Sequence, residues 1–249
     1  MATRVKNPQR ANVAYFYGVT AKSAARPAIA GVDGKSPVDS IPCGDLLCWV
    51  SIVPRAEFAD NLATNMENLD WLSEAGVRHQ AVVSAIARKA DILPARFGTV
   101  FLDMASLKRD VLKRKKVLLT DLRKIRGCDE WGVKVFSIQP KIQVPANKPA
   151  SGREYLKNKA TLLRGPSPGT IEDLDKFSSA LSRIAAEIAD GGRIAGGKPD
   201  LKWQSSLLIK RTARKRLEAL LKKYSALWAD SARLECTGPW PPYSFVSRG

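Results

Sequence analysis

The uncharged run ANVAYFYGVTA, residues 11–21, decides how the N-terminal half of this chain is interpreted. It contains three consecutive aromatic residues and several β-branched ones, but no leucine. Such composition in a short run is typical of a β-strand, and we place a strand at 13–19. A basic tail precedes the run, as in a secretory signal, yet Asn12, Gly18 and the aromatic residues favour the strand.

Five further segments are rich in β-branched or aromatic residues, so strands are predicted at 46–53, 97–102, 131–138, 203–209 and 232–237. Helices are predicted where apolar residues recur every three or four positions, at 66–90, 103–126, 150–164, 170–190 and 211–228. Asp103 is expected to cap the second helix, and capping boxes open the third (Ser151, Glu154) and the fourth (Thr170, Asp173). Because 170–190 approaches a 3.5-residue period, the third and fourth helices predict an antiparallel hairpin with coiled-coil character.

This order of elements predicts an α+β protein with two domains. The first, residues 1–139, is expected to be a modified ferredoxin-like α/β sandwich in which the loop 20–45 replaces the first crossover helix. The second, residues 140–249, is expected to be a mainly α-helical domain, with the helical hairpin and a small β element. The proline-rich stretch 137–151 is the predicted linker, and the boundary is placed between 128 and 150.

The chain carries 41 Lys and Arg against 24 Asp and Glu, a net charge of +17. Residues 108–126 and 198–223 each hold +7, whereas residues 55–76 hold −4. The predicted helices in the two basic segments place their charges on a solvent face, which leaves nucleic acid and acidic proteins both open as partners. The strand at 131–138 is the nearest candidate for stacking RNA bases, but it does not match the pattern of that module.

No catalytic or metal-binding constellation emerges from the sequence. His79, the only histidine, lies on the apolar stripe of the helix 66–90, which predicts a buried, hydrogen-bonded core residue. The four cysteines form no CxxC pair, so a reduced, metal-free cytoplasmic protein is expected. The string GRIAGGKP at 192–199 resembles a phosphate-binding loop, but proline replaces the hydroxyl residue that would bind Mg²⁺, and the loop follows a helix. We predict no cofactor and no enzymatic activity.

Five less generic strings occur together: YFYGV (15–19), LPARFGTVF (93–101), EWGVKV (130–135), SGREYL (151–156) and GPWPPYSFV (238–246). In this order the set resembles the gas vesicle GvpL/GvpF family over roughly residues 12–246. The second and fifth strings are the most specific of the five.

The resemblance implies a non-enzymatic accessory or minor structural protein of gas vesicles. Such a protein is expected to bind the small hydrophobic shell protein GvpA and other gas vesicle accessory proteins. It is expected to help nucleate and assemble the shell, and to lie on or in the vesicle shell within the cytoplasm. The alternative is a basic nucleic-acid-binding α+β protein, and no membrane partner is expected.

The same resemblance suggests structural or partner-contact roles for the motif residues Pro94, Arg96, Phe97, Gly98, Trp131, Tyr155, Gly238, Pro239, Trp240, Pro241, Pro242, Tyr243 and Phe245. Pro94 is expected to end the helix 66–90, because the residue before a proline avoids the helical region. The prolines of 238–246 stiffen that segment into an extended form. We interpret it as an aromatic plug on its own domain, with a docking edge for a hydrophobic shell protein as the other reading.

Overall fold

The computed structural model describes residues 11–21, 25–138, 153, 173–190 and 200–247. It divides the chain into two units, the first comprising Met1–Glu130 and Pro239–Gly249, and the second Trp131–Gly238. Helices and two sheets make this a mixed α/β protein, which agrees with the predicted fold class at that level. The division differs from the predicted domains 1–139 and 140–249 in two respects: residues 131–139 belong to the second unit, and the C-terminal segment 239–249 belongs to the first.

The central strand of the first unit is β1, Asn12–Ala21, whose eight inner residues are all buried. A strand buried on both faces needs a continuous apolar or aromatic run, which the sequence supplies. In a five-stranded sheet, β1 pairs antiparallel with three of the other four strands, and the order is β2-β3-β1-β4 with β5 also paired to β1. The other strands are β2 (Asp39–Cys43), β3 (Leu46–Pro54), β4 (Ile92–Pro94) and β5 (Val100–Phe101).

Short strands in this sheet depart from the sequence-based prediction. β2 lies inside the predicted loop 20–45 and pairs with β3 from Asp39 opposite Val50 to Cys43 opposite Leu46. β4 and β5 replace the single strand expected at 97–102, because the chain turns between them at Gly98, where φ is 79°. Pro94 therefore lies in a strand, seven residues beyond the helix that it was expected to end. Strands of two to five residues are too short for an alternation pattern to reveal them.

The long helix of the first unit packs on one face of the sheet. This helix, α2, spans Leu69–Ala87 and follows the short helix α1, Leu62–Glu67. The side chain of Asn68 accepts hydrogen bonds from the first turn of α2 and so caps it. Most of the buried apolar residues of α2 belong to the same core cluster as Tyr15 and Tyr17 of β1. The prediction of a helix at 66–90 is thus confirmed, with shorter limits.

Two further helices lie on the opposite face. The single helix predicted at 103–126 is divided into α3, Met104–Lys113, and α4, Lys115–Lys124, because Arg114 departs from helical geometry at φ −93° and ψ 4°. Asp103 caps α3 as predicted, accepting the N–H of Ser106 at 2.7 Å. Successive β1 side chains alternate between faces, and Phe16 lines a common cleft with Leu118 of α4, so the sheet is covered on both sides.

The second unit is built on a four-stranded sheet in the order β7-β8-β6-β9. Its core includes Phe177, whose ring centroid lies 4.8 Å from that of Tyr224 and 5.1 Å from that of Trp228. Its described elements are β6 (Cys128–Ser137), α5 (Leu174–Ser182), β7 (Glu187–Asp190), β8 (Leu201–Lys210), α6 (Arg214–Leu227) and β9 (Ala232–Trp240).

The ferredoxin-like arrangement predicted for residues 1–139 is not confirmed, because three strands precede the first helix of the N-terminal unit. The described elements from β6 to β9 instead follow the order β–α–β–β–α–β, which is the element order of a ferredoxin-like unit. The sequence predicts these elements except β7, but strand pairing depends on hydrogen bonds between distant residues that no local pattern encodes.

The helix predicted at 170–190 is wrong in its second half. α5 ends at Ser182, and β7 pairs antiparallel with β8, from Glu187 opposite Leu208 to Asp190 opposite Ser205. Ile184 and Ile188 continue the apolar period, and both pack against the core of the unit, so an apolar spacing alone does not separate helix from strand here. The predicted helix 150–164, except residue 153, lies outside the described residues, as do most of the linker 137–151 and the string at 192–199.

We predict that Gly18→Ala strongly destabilises the first unit. Gly18 has φ 142° at a register shift in β1, and an added Cβ would overlap the carbonyl oxygen of Leu93 and lie 3.1 Å from its carbon. We expect the free energy of unfolding to fall by about 2–4 kcal/mol, measured by urea denaturation. Gly76→Ala is the matched control: its Cβ meets nothing within 4 Å inside α2, so it should stabilise by up to about 1 kcal/mol. Equal stability of the two variants would contradict the prediction.

Candidate functional site

The motif strings LPARFGTVF and GPWPPYSFV meet in the first unit around the buried hydroxyl of Tyr15. This oxygen accepts the backbone N–H of Gly98 at 3.0 Å and lies 2.9 Å from Nδ1 of His79. The Tyr15 ring also packs edge-on against those of Phe58 and Phe97. The turn at Gly98 is thus fixed to β1 from inside the core.

His79 connects this network to the C-terminal segment. Its side chain is buried, and its Nε2 lies 3.2 Å from the hydroxyl of Tyr243, which donates to Oε1 of Gln80 at 3.1 Å. Burial lowers the pKa of His79 to about 4, opposed in part by a hydrogen bond with the backbone of Ala95. The imidazole is therefore neutral at pH 7, and the prediction of a buried, hydrogen-bonded core histidine is confirmed.

Residues 241–247, here called the C-terminal strap, are held to the first unit by two buried carboxylates. Glu130 accepts the backbone N–H of Ser244 at 2.8 Å and its hydroxyl at 2.6 Å. Asp121 accepts the same two groups of Ser247, at 2.8 and 3.0 Å. Between these serines, Phe245 is buried, with Nζ of Lys124 6.0 Å from its ring centre. Hydrogen bonds to a charged acceptor are stronger than neutral ones, so each serine is a firm attachment point.

A cleft of about 480 Å³ lies beside the strap. Its walls come from β1, the segment 93–99, the start of α4 and the strap itself: Phe16, Val19, Leu93, Pro94, Ala95, Arg96, Thr99, Arg114, Leu118, Tyr243, Ser244, Val246 and Ser247. Apolar side chains and two guanidinium groups contribute to this lining, and none of its described residues carries a carboxylate side chain. Arg114 pairs with Asp110, and its Nε is buried without a hydrogen-bond partner in the described structure. Such a cleft suits an apolar group that carries a negative charge.

The structure places the motif residues in four different settings. Pro94, Arg96 and Tyr243 line the cleft, while Phe97 and Gly98 surround Tyr15. In the C-terminal motif Pro241, Pro242 and Phe245 are buried, whereas Pro239 and Trp240 are exposed and Gly238 has φ 135°. Trp131 belongs to the core of the second unit, where the guanidinium of Arg214 lies 5.5 Å from its ring centre. Tyr155 lies outside the described residues.

Sequence reasoning does not find the carboxylates that hold the strap. Asp121 nevertheless carries a recognisable signal, because it lies three residues after Leu118 and four before Ile125, on the apolar stripe of α4. A carboxylate on a buried stripe needs hydrogen-bond donors from elsewhere in the fold. Glu130, in a strand, gives no comparable signal.

The alternative of base stacking on strand β6 gains no support from the described residues. Both aromatic side chains of the strand, Trp131 and Phe136, are buried. Among the described residues there is also no group of three His, Cys, Asp or Glu side chains placed to hold a metal ion. No helix in the described ranges combines the length and apolar character that crossing a bilayer requires.

The fold resembles two crystal structures of gas vesicle proteins. Gas vesicle protein GvpF from Anabaena sp. PCC7120 matches with a TM-score of 0.70 and 16% identity, covering 96% of this chain and 97% of that one. GvpF from Microcystis aeruginosa matches with a TM-score of 0.67 and 18% identity, covering 95% and 99%. The architecture is therefore one that gas vesicle proteins adopt.

Sequence comparison defines the family. The model of the family described as gas vesicle synthesis protein GvpL/GvpF matches residues 13–247. Gas vesicle protein L of Streptomyces sp. (strain CB03234) is 29% identical over 247 residues, 93% of this chain and 92% of that protein. Gas vesicle protein F2 of Halobacterium salinarum (strain ATCC 700922 / JCM 11081 / NRC-1) is 26% identical over 196 residues, 77% and 75%. This chain belongs to the GvpL/GvpF family, which implies a role in gas vesicle formation.

We predict that the buried His79 makes the fold less stable in acid. An unfolded chain binds a proton on histidine below about pH 6.5, whereas the folded protein takes it up only near pH 4. Between these values the unfolded state holds more protons, so stability falls as the pH falls. The wild-type protein should lose about 3 kcal/mol more than His79→Gln between neutral pH and pH 4, measured by urea denaturation. Parallel pH profiles of the two proteins would contradict this.

We predict that Ser244→Ala loosens the C-terminal strap. The substitution removes the hydroxyl donor to Glu130, and losing a hydrogen bond to a charged group costs about 1.5–3 kcal/mol of unfolding free energy. Amide hydrogen exchange at 241–247, read by mass spectrometry, should rise in the same variant. Ser182→Ala is the control, since its exposed hydroxyl bonds only to the carbonyl of Ser178 in the same helix. Unchanged exchange in the strap would rule out its attachment through Ser244.

Proposed function

We propose that this protein is a non-enzymatic accessory or minor structural component of the gas vesicle. In this role it binds the hydrophobic shell protein GvpA and assists nucleation and assembly of the shell, and it stays associated with that shell. The observation that carries the proposal is the meeting of the two most specific motif strings at one cleft, where Pro94 and Arg96 face the strap residue Tyr243. Family membership supports the gas vesicle as its setting.

The lining of the cleft fits a short segment of a hydrophobic partner. Phe16, Leu93 and Leu118 offer apolar surface, and Arg96 supplies an exposed positive charge at the wall. A volume of about 480 Å³ lies in the range of sites that hold small ligands, so the cleft accepts a few side chains rather than a whole protein face. An apolar stretch that ends in or next to a carboxylate would bury its side chains and pair with the arginine.

Binding of this kind would help assembly by covering apolar surface. A shell subunit that has not yet joined the wall exposes apolar area, and such area drives non-specific aggregation. If one apolar segment of the subunit binds reversibly in the cleft, that segment is covered until the subunit joins the wall. Contacts with neighbouring shell subunits then compete with the cleft for the same segment. No bond is made or broken in this mechanism, so no catalytic group is required.

The test is co-expression of GvpA with the tagged full-length protein, followed by affinity capture. The wild-type protein should retain GvpA, and Arg96→Glu should retain at least about tenfold less, as expected when a charge pair worth about 1.4 kcal/mol is lost. Arg88→Glu makes the same charge change at an exposed residue outside the cleft and should behave as wild type. The proposal fails if the wild-type protein captures no GvpA and is also absent from purified vesicles.

The same experiment, extended to DNA and RNA binding and to nuclease treatment, distinguishes GvpA binding from the alternative of nucleic-acid binding. Binding through basic helices alone would appear as tight association with DNA or RNA that weakens steeply with added salt. GvpA capture that survives nuclease treatment supports the shell-protein reading, and capture that disappears with it supports the alternative.

A further inference from the structure

The outward side of α1 and α2 exposes apolar side chains in the first unit. Leu69 and Val77 are 79% and 67% exposed, and Met66 of the preceding helix is 41% exposed. Leu69 and Val77 are eight residues apart, on the side of α2 that faces away from its buried stripe. The other side of α2 already packs into the core, so these exposed apolar residues are not needed to attach the helix. Exposed apolar residues of this kind suggest a surface that contacts a partner.

Carboxylates are interleaved with these apolar residues. Glu67, Asp70 and Glu74 are all exposed, and of the three Glu74 forms an ion pair with Arg78. We call the group Met66, Glu67, Leu69, Asp70, Glu74 and Val77 the acidic face. All of it except Val77 lies within the segment 55–76, which holds −4 in a chain of net charge +17.

The helices on the other side of the sheet expose a surface of opposite charge. Leu112 and Val117 are 48% and 50% exposed, at the end of α3 and the start of α4. Exposed cations surround them, at spacings of three or four residues that share a helix side. We call the group Lys108, Arg109, Leu112, Lys113, Lys116 and Val117 the basic face.

One molecule cannot bring these two faces together. The buried stripe of α2 packs on the side of β1 that carries Tyr15 and Tyr17, whereas Leu118 of α4 shares a cleft with Phe16, on the opposite side. The sheet therefore separates the acidic face from the basic face. Each face remains available to a second molecule.

We propose that the acidic face of one copy of this protein docks on the basic face of another copy. Both faces combine exposed apolar side chains with charges of one sign, and the signs are complementary. Two acidic faces, or two basic ones, would instead repel each other. The contact joins different surfaces of the two molecules, so each copy keeps one free face and the association continues head to tail into short chains or a closed ring.

The inference stands apart from the proposed binding of GvpA. The two faces share no residue with the lining of the cleft. Exposed ion pairs contribute little individually and are screened by salt, so the contact should be weak, reversible and sensitive to ionic strength.

The experiment measures self-association of the full chain by sedimentation velocity over about a hundredfold range of concentration, at low and high salt. The wild-type protein should associate with rising concentration and dissociate with salt. Glu67→Lys with Glu74→Lys, and separately Lys113→Glu with Lys116→Glu, should each weaken self-association at least about tenfold. Asp70 is left unchanged because a carboxylate in the first turn of α2 stabilises the helix.

The decisive step mixes the two reversed variants. The Glu→Lys variant alone presents two positive faces, and in the Lys→Glu variant the introduced carboxylates offset Lys108 and Arg109, so its basic face keeps no net charge. In an equimolar mixture the intact acidic face of the second variant meets the intact basic face of the first, so association should be regained. Lys215→Glu with Lys222→Glu on α6 makes the same change in net charge in the second unit and should leave association unaltered. A wild-type protein that stays monomeric throughout, or a mixture that fails to recover, overturns the inference. Arg96→Glu should leave self-association unchanged, which keeps this result distinct from a failure of GvpA binding.

Discussion

The buried hydroxyl groups of β1 impose the constraint on which the first unit depends. Tyr15 and Tyr17 are fully buried in a strand that is covered on both faces, and burial raises the pKa of both phenols, that of Tyr17 to about 12. A buried hydroxyl without a partner would cost several kcal/mol, so the fold must bring donors and acceptors to each oxygen. Tyr17 receives the N–H of Val32 and donates to Ser51, which ties down the segment before β2.

The same constraint shapes the candidate site. The Tyr15 hydroxyl requires Gly98 and His79, and the second nitrogen of His79 then faces Tyr243 of the strap. The strap in turn forms one wall of the cleft, together with the segment that contains Gly98. The cleft is thus not an independent surface feature. Its two defining walls are connected through core hydrogen bonds, and a change in the core is transmitted to the wall that a partner would touch.

The sequence predicts the features that depend on neighbouring residues. The β1 run, the α2 stripe with His79 and the cap at Asp103 all follow from spacing within one element. It does not predict β2, β7 or the strap contacts of Asp121 and Glu130, because each depends on residues far away in the chain. The division of the predicted helix 103–126 at Arg114 could not be predicted either, because the apolar spacing continues on both sides of this residue. Motif resemblance located the strings of the candidate site without showing that two of them are neighbours in space.

The distribution of charge bears on how copies of this protein meet. With a net charge of +17, two molecules repel each other at long range. At physiological ionic strength that repulsion is screened beyond about 8 Å, so the outcome depends on the charges that come into contact. The acidic face reverses the local sign, so head-to-tail docking is an arrangement that like charges do not oppose. The faces and the cleft share no residue, so the docking contact itself uses none of the cleft's lining. Under the proposed function, a row of clefts would bind a growing multi-subunit shell more tightly than one cleft could.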